Sequence, residues 1–117
     1  MRGYLRILNK GVKNMEQINT EKFDELLKGG KPVVCDFFAT WCGPCKMLAP
    51  VMEKVSEKFS DRAVFVKVDI DENLPLAARY GIMSIPLVAV FKGGEQTAKT
   101  LGYMSASEAE KFLEENL

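Results

Sequence analysis

The sequence predicts an α/β domain with a central mixed sheet covered by helices on both faces. Three observations carry that expectation. Two nearly continuous apolar runs, VVCDFFA at 33–39 and AVFVKVDI at 63–70, read as strands buried on both faces, as parallel strands usually are. A long stretch of helical periodicity separates them. Two later strand-like runs within SIPLVAVFKGGEQTAKTLG are joined by Gly93-Gly94, a two-residue hairpin signal. The resulting order, β-α-β-α-β-α-β-β-α, places parallel crossovers first, then a hairpin, then a last helix.

The elements follow in turn. Met15 to Ile18 reads as a short edge strand. Thr20 caps a helix over 21–29, with Glu21 and Asp24 early, Lys28 late and Gly29-Gly30 stopping it. Pro32 opens the first buried strand. A helix runs from about Gly43 to Phe59, with Val51, Val55 and Phe59 as its buried stripe and Leu48 and Met52 alongside. Pro50 falls inside it and is expected to kink it. After the second buried strand, ENLPLAARYG forms a short helix with Pro75 near its first turn and Gly81 past its end. Ser105 and Glu108 make a capping box that opens a C-terminal helix reaching Leu117.

Composition narrows the function classes. At 117 residues the chain suits one domain with a real core, and no apolar run approaches the ~18 residues of a membrane span. Sixteen basic and 16 acidic side chains cancel, which argues against a nucleic-acid footprint. The balance is uneven, however. Residues 1–14 carry Arg2, Arg6, Lys10 and Lys13 without an acid, leaving 12 basic against 16 acidic groups in the rest. This basic extension reads as a disordered tail or an early start before Met15. Arg6 breaks the apolar stretch that a secretory signal needs, although Tyr4, Leu5, Leu8 and Val12 near one face leave an amphipathic-leader alternative. Lacking a secretory signal, the protein is expected in the reducing cytoplasm, as a monomer.

Three cysteines, Cys35, Cys42 and Cys45, are too few and too clustered for a secreted disulfide framework. Zinc fares no better, since a structural site usually needs four Cys or His ligands and the chain has three Cys and no His. A redox pair fits best. Cys42 stands just before a helix, where unpaired N–H groups and the helix dipole favour the nucleophilic thiolate. Pro44 suits the first turn, and Cys45 lies one turn in on the same side, within reach of disulfide geometry. Cys42 at an exposed mouth would attack a substrate disulfide, and the more buried Cys45 would resolve the mixed disulfide. Without histidine, the base must be a carboxylate. Asp36, a charge among apolar neighbours, is the candidate, with Lys67 its partner if the two strands are adjacent. Cys35, pointing opposite to Asp36 along the strand, reads as a small buried hydrophobe, with a regulatory thiol as the alternative.

Together these residues resemble the thioredoxin family over nearly all of residues 15–117. The matching features are the strand with Asp36, WCGPCK at 41–46, Pro50, KVDID at 67–71, YGI at 80–82, SIP at 84–86, FKGGE at 91–95 and Gly102. The resemblance implies the thioredoxin fold and a protein-disulfide reductase. Cys42 then maps to the attacking thiol, Cys45 to the resolving thiol, Asp36 to the buried acid–base group and Lys67 to its charged partner. Pro86 maps to a cis-proline beside the disulfide, although only about 5–6% of X–Pro bonds are cis and sequence alone would leave it trans. Trp41, Gly43, Pro44, Ile85 and Gly102 would join Pro86 in an apolar collar for disulfide-bearing client proteins.

The resemblance also implies no bound cofactor. Reducing equivalents would come through a partner, a thioredoxin reductase drawing on NADPH and flavin or a ferredoxin-linked enzyme; the chain has no glycine-rich dinucleotide fingerprint. Gly-Pro between the cysteines resembles the reducing members of the superfamily, where oxidising and isomerising relatives tend to carry histidine, and so implies the reducing direction. Phe38 in place of a common tryptophan, Leu87 in place of a common threonine and the unusual Cys35 depart from the family pattern without touching the reacting groups. Two other readings stay open: a binding module or scaffold subunit using the same apolar face, and an exported redox protein acting on envelope disulfides.

Overall fold

The apolar run at 33–39 becomes the middle strand of a five-stranded sheet in the computed structural model, which describes residues 15–117. The tail, early-start and leader readings of residues 1–14 lie outside the described residues. In chain order the elements are β1 (Glu16–Gln17), α1 (Thr20–Leu27), β2 (Val33–Phe38), α2 (Gly43–Phe59), β3 (Val64–Asp69), α3 (Leu74–Arg79), β4 (Leu87–Lys92), β5 (Glu95–Leu101) and α4 (Ala106–Asn116). The sheet order is β1-β3-β2-β4-β5, with β1, β3 and β2 parallel and β4 and β5 antiparallel to their neighbours. This is the mixed α/β sheet that the element order predicts.

Strand alternation divides the interior into two cores. Val33, Cys35 and Phe37 face one side, where they pack with Phe23 of α1 and Leu76 of α3. Phe23 meets Phe91 edge-on at 5.1 Å between ring centroids, and fully burying such a ring stabilises by about 1.5–3 kcal/mol. Val34 faces the other side, against Leu48, Met52 and Val55 of α2 and Leu113 of α4. Asp36, two residues on, shares the Val34 face and is thereby directed towards α2.

Several local expectations are refined. Asn19, not Thr20, caps α1: its side chain accepts the Lys22 N–H at 2.9 Å. Thr20 instead donates both its N–H and its hydroxyl to the Asn73 side chain, tying α1 to the turn before α3. Val51 is only partly buried, and Ser56 shares the inward face of α2 instead. The helix runs through Pro50 without interruption; the pyrrolidine is exposed and leaves the Lys46 carbonyl without its usual helical donor. The hairpin between β4 and β5 turns at Gly93 and Gly94, whose φ values of 60° and 83° suit glycine at both turn positions. The Ser105–Glu108 capping box forms as predicted, with both reciprocal bonds present.

Candidate active site

At the C-terminal end of β2 the chain makes a tight turn, with the Cys42 N–H donating to the Ala39 carbonyl at 3.2 Å. Cys42 is the N-cap of α2: its backbone is extended, and its Sγ accepts the Cys45 N–H at 3.2 Å. Serine, threonine and aspartate usually serve there because an oxygen satisfies an otherwise orphaned helix N–H. Here a sulfur takes that role, so the reactive atom itself receives the helix-terminal donor. Pro44 follows within the first turn. Cys42 and Cys45 are joined as a disulfide with their Cα atoms 5.3 Å apart. The predicted contrast in burial is small, since Cys42 is 5% and Cys45 3% exposed. Both sulfurs sit in a shallow apolar nest with Ala39, Phe38, Ile70 and Ile85.

Asp36 lies beneath this nest. It is 3% exposed, and its Oδ1 has no hydrogen-bond partner. Burial pushes its pKa up to about 7, against the opposing pull of the Lys67 charge. Lys67 is the register partner of Asp36 on β3, as the sequence anticipates for adjacent strands. The two are not a close ion pair, however; the Lys67 ammonium lies 5.7 Å from the Phe38 ring centroid. Asp36, Lys67, Phe38, Cys45 and Lys46 line one cavity of about 240 Å³. Its size is enough to admit water between a carboxylate and a sulfur. Cys35 belongs to the opposite core, among Phe37, Val66 and Ala89. Burial, and to a lesser degree the Asp36 charge, push its thiol pKa well up.

The remaining predicted residues flank the disulfide in the chain or connect to it through the Ile85-Pro86 segment. Trp41 is 69% exposed, and Gly43 and Pro44 are also exposed. The Ile85-Pro86 bond is cis, and the Ile85 carbonyl stands 3.9 Å from Cys42 Sγ. Pro86 accepts the Gly102 N–H at 2.8 Å, and Gly102 has φ of 95°, a conformation that L side chains rarely adopt. Three residues near the site carry no role in the sequence reading. Asp71 accepts the Trp41 indole N–H at 2.7 Å, Lys46 lines the cavity beside Asp36, and Met83, almost fully exposed, precedes the Ile85-Pro86 bond. Asp71 lies 30 residues from Trp41, so only the fold brings the two together.

Among the described residues, no group of three or more His, Cys, Asp or Glu side chains is placed to hold a metal, and no helix is long and apolar enough to cross a membrane. A dithiol–disulfide pair held at a helix terminus above a buried carboxylate can exchange two electrons and two protons without a further group. The thioredoxin family model matches residues 14–115. Thioredoxin of Alicyclobacillus acidocaldarius subsp. acidocaldarius is 42% identical over 91 residues, covering 78% of this chain and 87% of the relative. Thioredoxin of Staphylococcus haemolyticus is 41% identical over 101 residues, covering 86% and 96%. That of Acidithiobacillus ferridurans is 39% identical over 101 residues, covering 86% and 94%. The chain belongs to the thioredoxin family and is a thiol–disulfide oxidoreductase.

Proposed function

We propose that the protein works as a reductant of disulfides in other proteins, with Cys42 as nucleophile, Cys45 as resolving thiol and Asp36 as proton acceptor. The observation that carries this reading is the Cys45 N–H directed at Cys42 Sγ at the N-terminus of α2. In the reduced protein that donor and the helix dipole stabilise negative charge on the Cys42 sulfur. The thiolate attacks one sulfur of a client disulfide; a Cys42–client bond forms, the client S–S bond breaks, and one client thiolate leaves. Asp36, through water in the shared cavity, takes the Cys45 proton. The Cys45 sulfur then attacks Cys42 Sγ, the Cys42–client bond breaks, and the second client thiolate departs. Two client thiols are gained for one Cys42–Cys45 disulfide.

Lys67 biases Asp36 towards its charged form, and Trp41, Gly43, Pro44, Ile85, Pro86 and Gly102 receive the client chain. Lys67 acts at a distance, across the cavity. A reductase partner returns the disulfide to the dithiol. The molecule is monomeric and cytoplasmic in this reading. The test is the midpoint potential of the Cys42–Cys45 couple, with thiols counted by mass so that Cys35 is tracked separately. A value well below about −230 mV supports the reductant assignment. A value near −180 to −120 mV makes the protein an oxidant or isomerase instead.

A further inference from the structure

Trp41 is the single tryptophan of the chain and holds a large apolar ring 69% exposed, immediately before Cys42. An unrestrained indole gains by folding down onto nearby apolar surface. Its ring nitrogen is instead hydrogen-bonded to Asp71 Oδ2 at 2.7 Å, a short charge-assisted bond. The acceptor is itself fixed. The Asp71 N–H donates at 2.9 Å to Oδ1 of Asp69, which is 4% exposed and ends β3. The same turn is pinned to β2 by the Ile70 N–H on the Phe38 carbonyl at 2.9 Å. From the far side, the Asn73 amide donates to the Asp69 carbonyl at 3.0 Å.

We propose that Asp71, backed by Asp69, is a positioning residue that clamps the Trp41 indole in one orientation beside the disulfide, so that client chains meet a preformed apolar wall. This rests on the reading of the protein as a reductase of protein disulfides. Asp71 touches no reacting atom. It lowers the ordering cost of client binding by restricting the indole before the client arrives. A small disulfide that reacts at Cys42 without leaning on the indole gains little from the clamp. The dependence on Asp71 therefore scales with client size.

The test uses the full chain with Asp71→Ala and Asp71→Asn. In the oxidised protein, acrylamide quenching and anisotropy decay report on Trp41 alone; Asp71→Ala is expected to raise the quenching constant about twofold and free the indole on the nanosecond scale. With insulin as the protein disulfide, KM is expected to rise about 5–10-fold while kcat changes far less, the effect of having to order one freed side chain on binding. With cystamine as the small disulfide, kcat/KM falls much less than with insulin. Asp71→Asn keeps a carbonyl acceptor and restores most of both signals. In a Trp41→Phe background, which has no ring N–H, Asp71→Ala adds nothing further. Unchanged quenching, or an equal loss in the Trp41→Phe background, overturns the clamp. Equal losses on insulin and cystamine overturn its role in client binding. If the wild-type protein reduces neither disulfide, the reductase reading falls, and the quenching result still decides the clamp.

Discussion

Asp36 and Lys67 face each other in register on neighbouring parallel strands, yet their charged groups do not form a close ion pair. The lysine extends over the Phe38 ring, and the carboxyl keeps one oxygen without a partner. A buried carboxyl left in this way has a raised pKa, about 7. Stability follows from the sign of that shift. Between the unfolded value near 3.8 and about 7, the native state binds more protons than the unfolded state, so unfolding free energy falls as pH rises through that window. Asp36→Asn removes the cost of ionisation. Denaturant unfolding should show the variant more stable than wild type at pH ~8, by up to about 4 kcal/mol, with the gap closing towards pH ~4. A gap that does not change with pH would mean that Asp36 ionises freely.

Lys67→Met tests the other half of the pair. The lysine charge draws the Asp36 pKa down against burial, so its removal moves that pKa further up. Resolution of a Cys42–client mixed disulfide, followed against pH, should then reach its half-maximal rate about one pH unit higher than in wild type. An unshifted midpoint would separate Lys67 from the proton step.

The two cysteines should part in trapping experiments. Cys45→Ser leaves the Cys42 nucleophile without a resolving thiol, so a mixed disulfide with a protein client accumulates and is visible by mass. Cys42→Ser should give none. The loss of turnover is near complete in both variants, so the covalent species is the discriminating readout. A mixed disulfide on Cys45 would reverse the assigned roles.

Cys35 gives a different signature. Its thiol pKa is well up because the side chain is sealed in the core against Phe37 and Val66. After reduction, iodoacetamide should modify Cys42 readily in the folded protein and reach Cys35 only in denaturant. Rapid labelling of Cys35 in the native state would revive the regulatory-thiol alternative.

The sheet was legible because buried strands advertise themselves as apolar runs, and the charge of Asp36 within one of them marked the site. Cys42 at the head of α2 was legible for the same local reason: strand, turn and helix follow one another in sequence. What stayed hidden is long-range. Nothing around Trp41 points to Asp71, and nothing around Thr20 points to Asn73, 53 residues away. The sequence does not separate Asn19 from Thr20 as the α1 cap, because both are good caps and the choice depends on Asn73 engaging Thr20. The cis bond at Pro86 was reached through resemblance alone, because local sequence favours trans.

Asn73 is 7% exposed, and its side chain serves three partners: the Thr20 N–H at 2.9 Å, the Thr20 hydroxyl at 3.0 Å and the Asp69 carbonyl at 3.0 Å. Asn73→Ala leaves the helix-terminal Thr20 N–H and the Thr20 hydroxyl unmatched, and strips the Asp69 carbonyl of one of its two donors, the other being the Glu72 N–H at 3.3 Å. The expected cost is about 2–3 kcal/mol, against about 1 kcal/mol for removing the α1 cap with Asn19→Ala. Urea unfolding at neutral pH measures both. Because Asn73 also holds the turn that carries Asp71, its loss should loosen Trp41 as well as the fold. Equal costs for the two variants would reduce Asn73 to a surface contact and leave Asp69 and the Ile70–Phe38 bond to fix the turn.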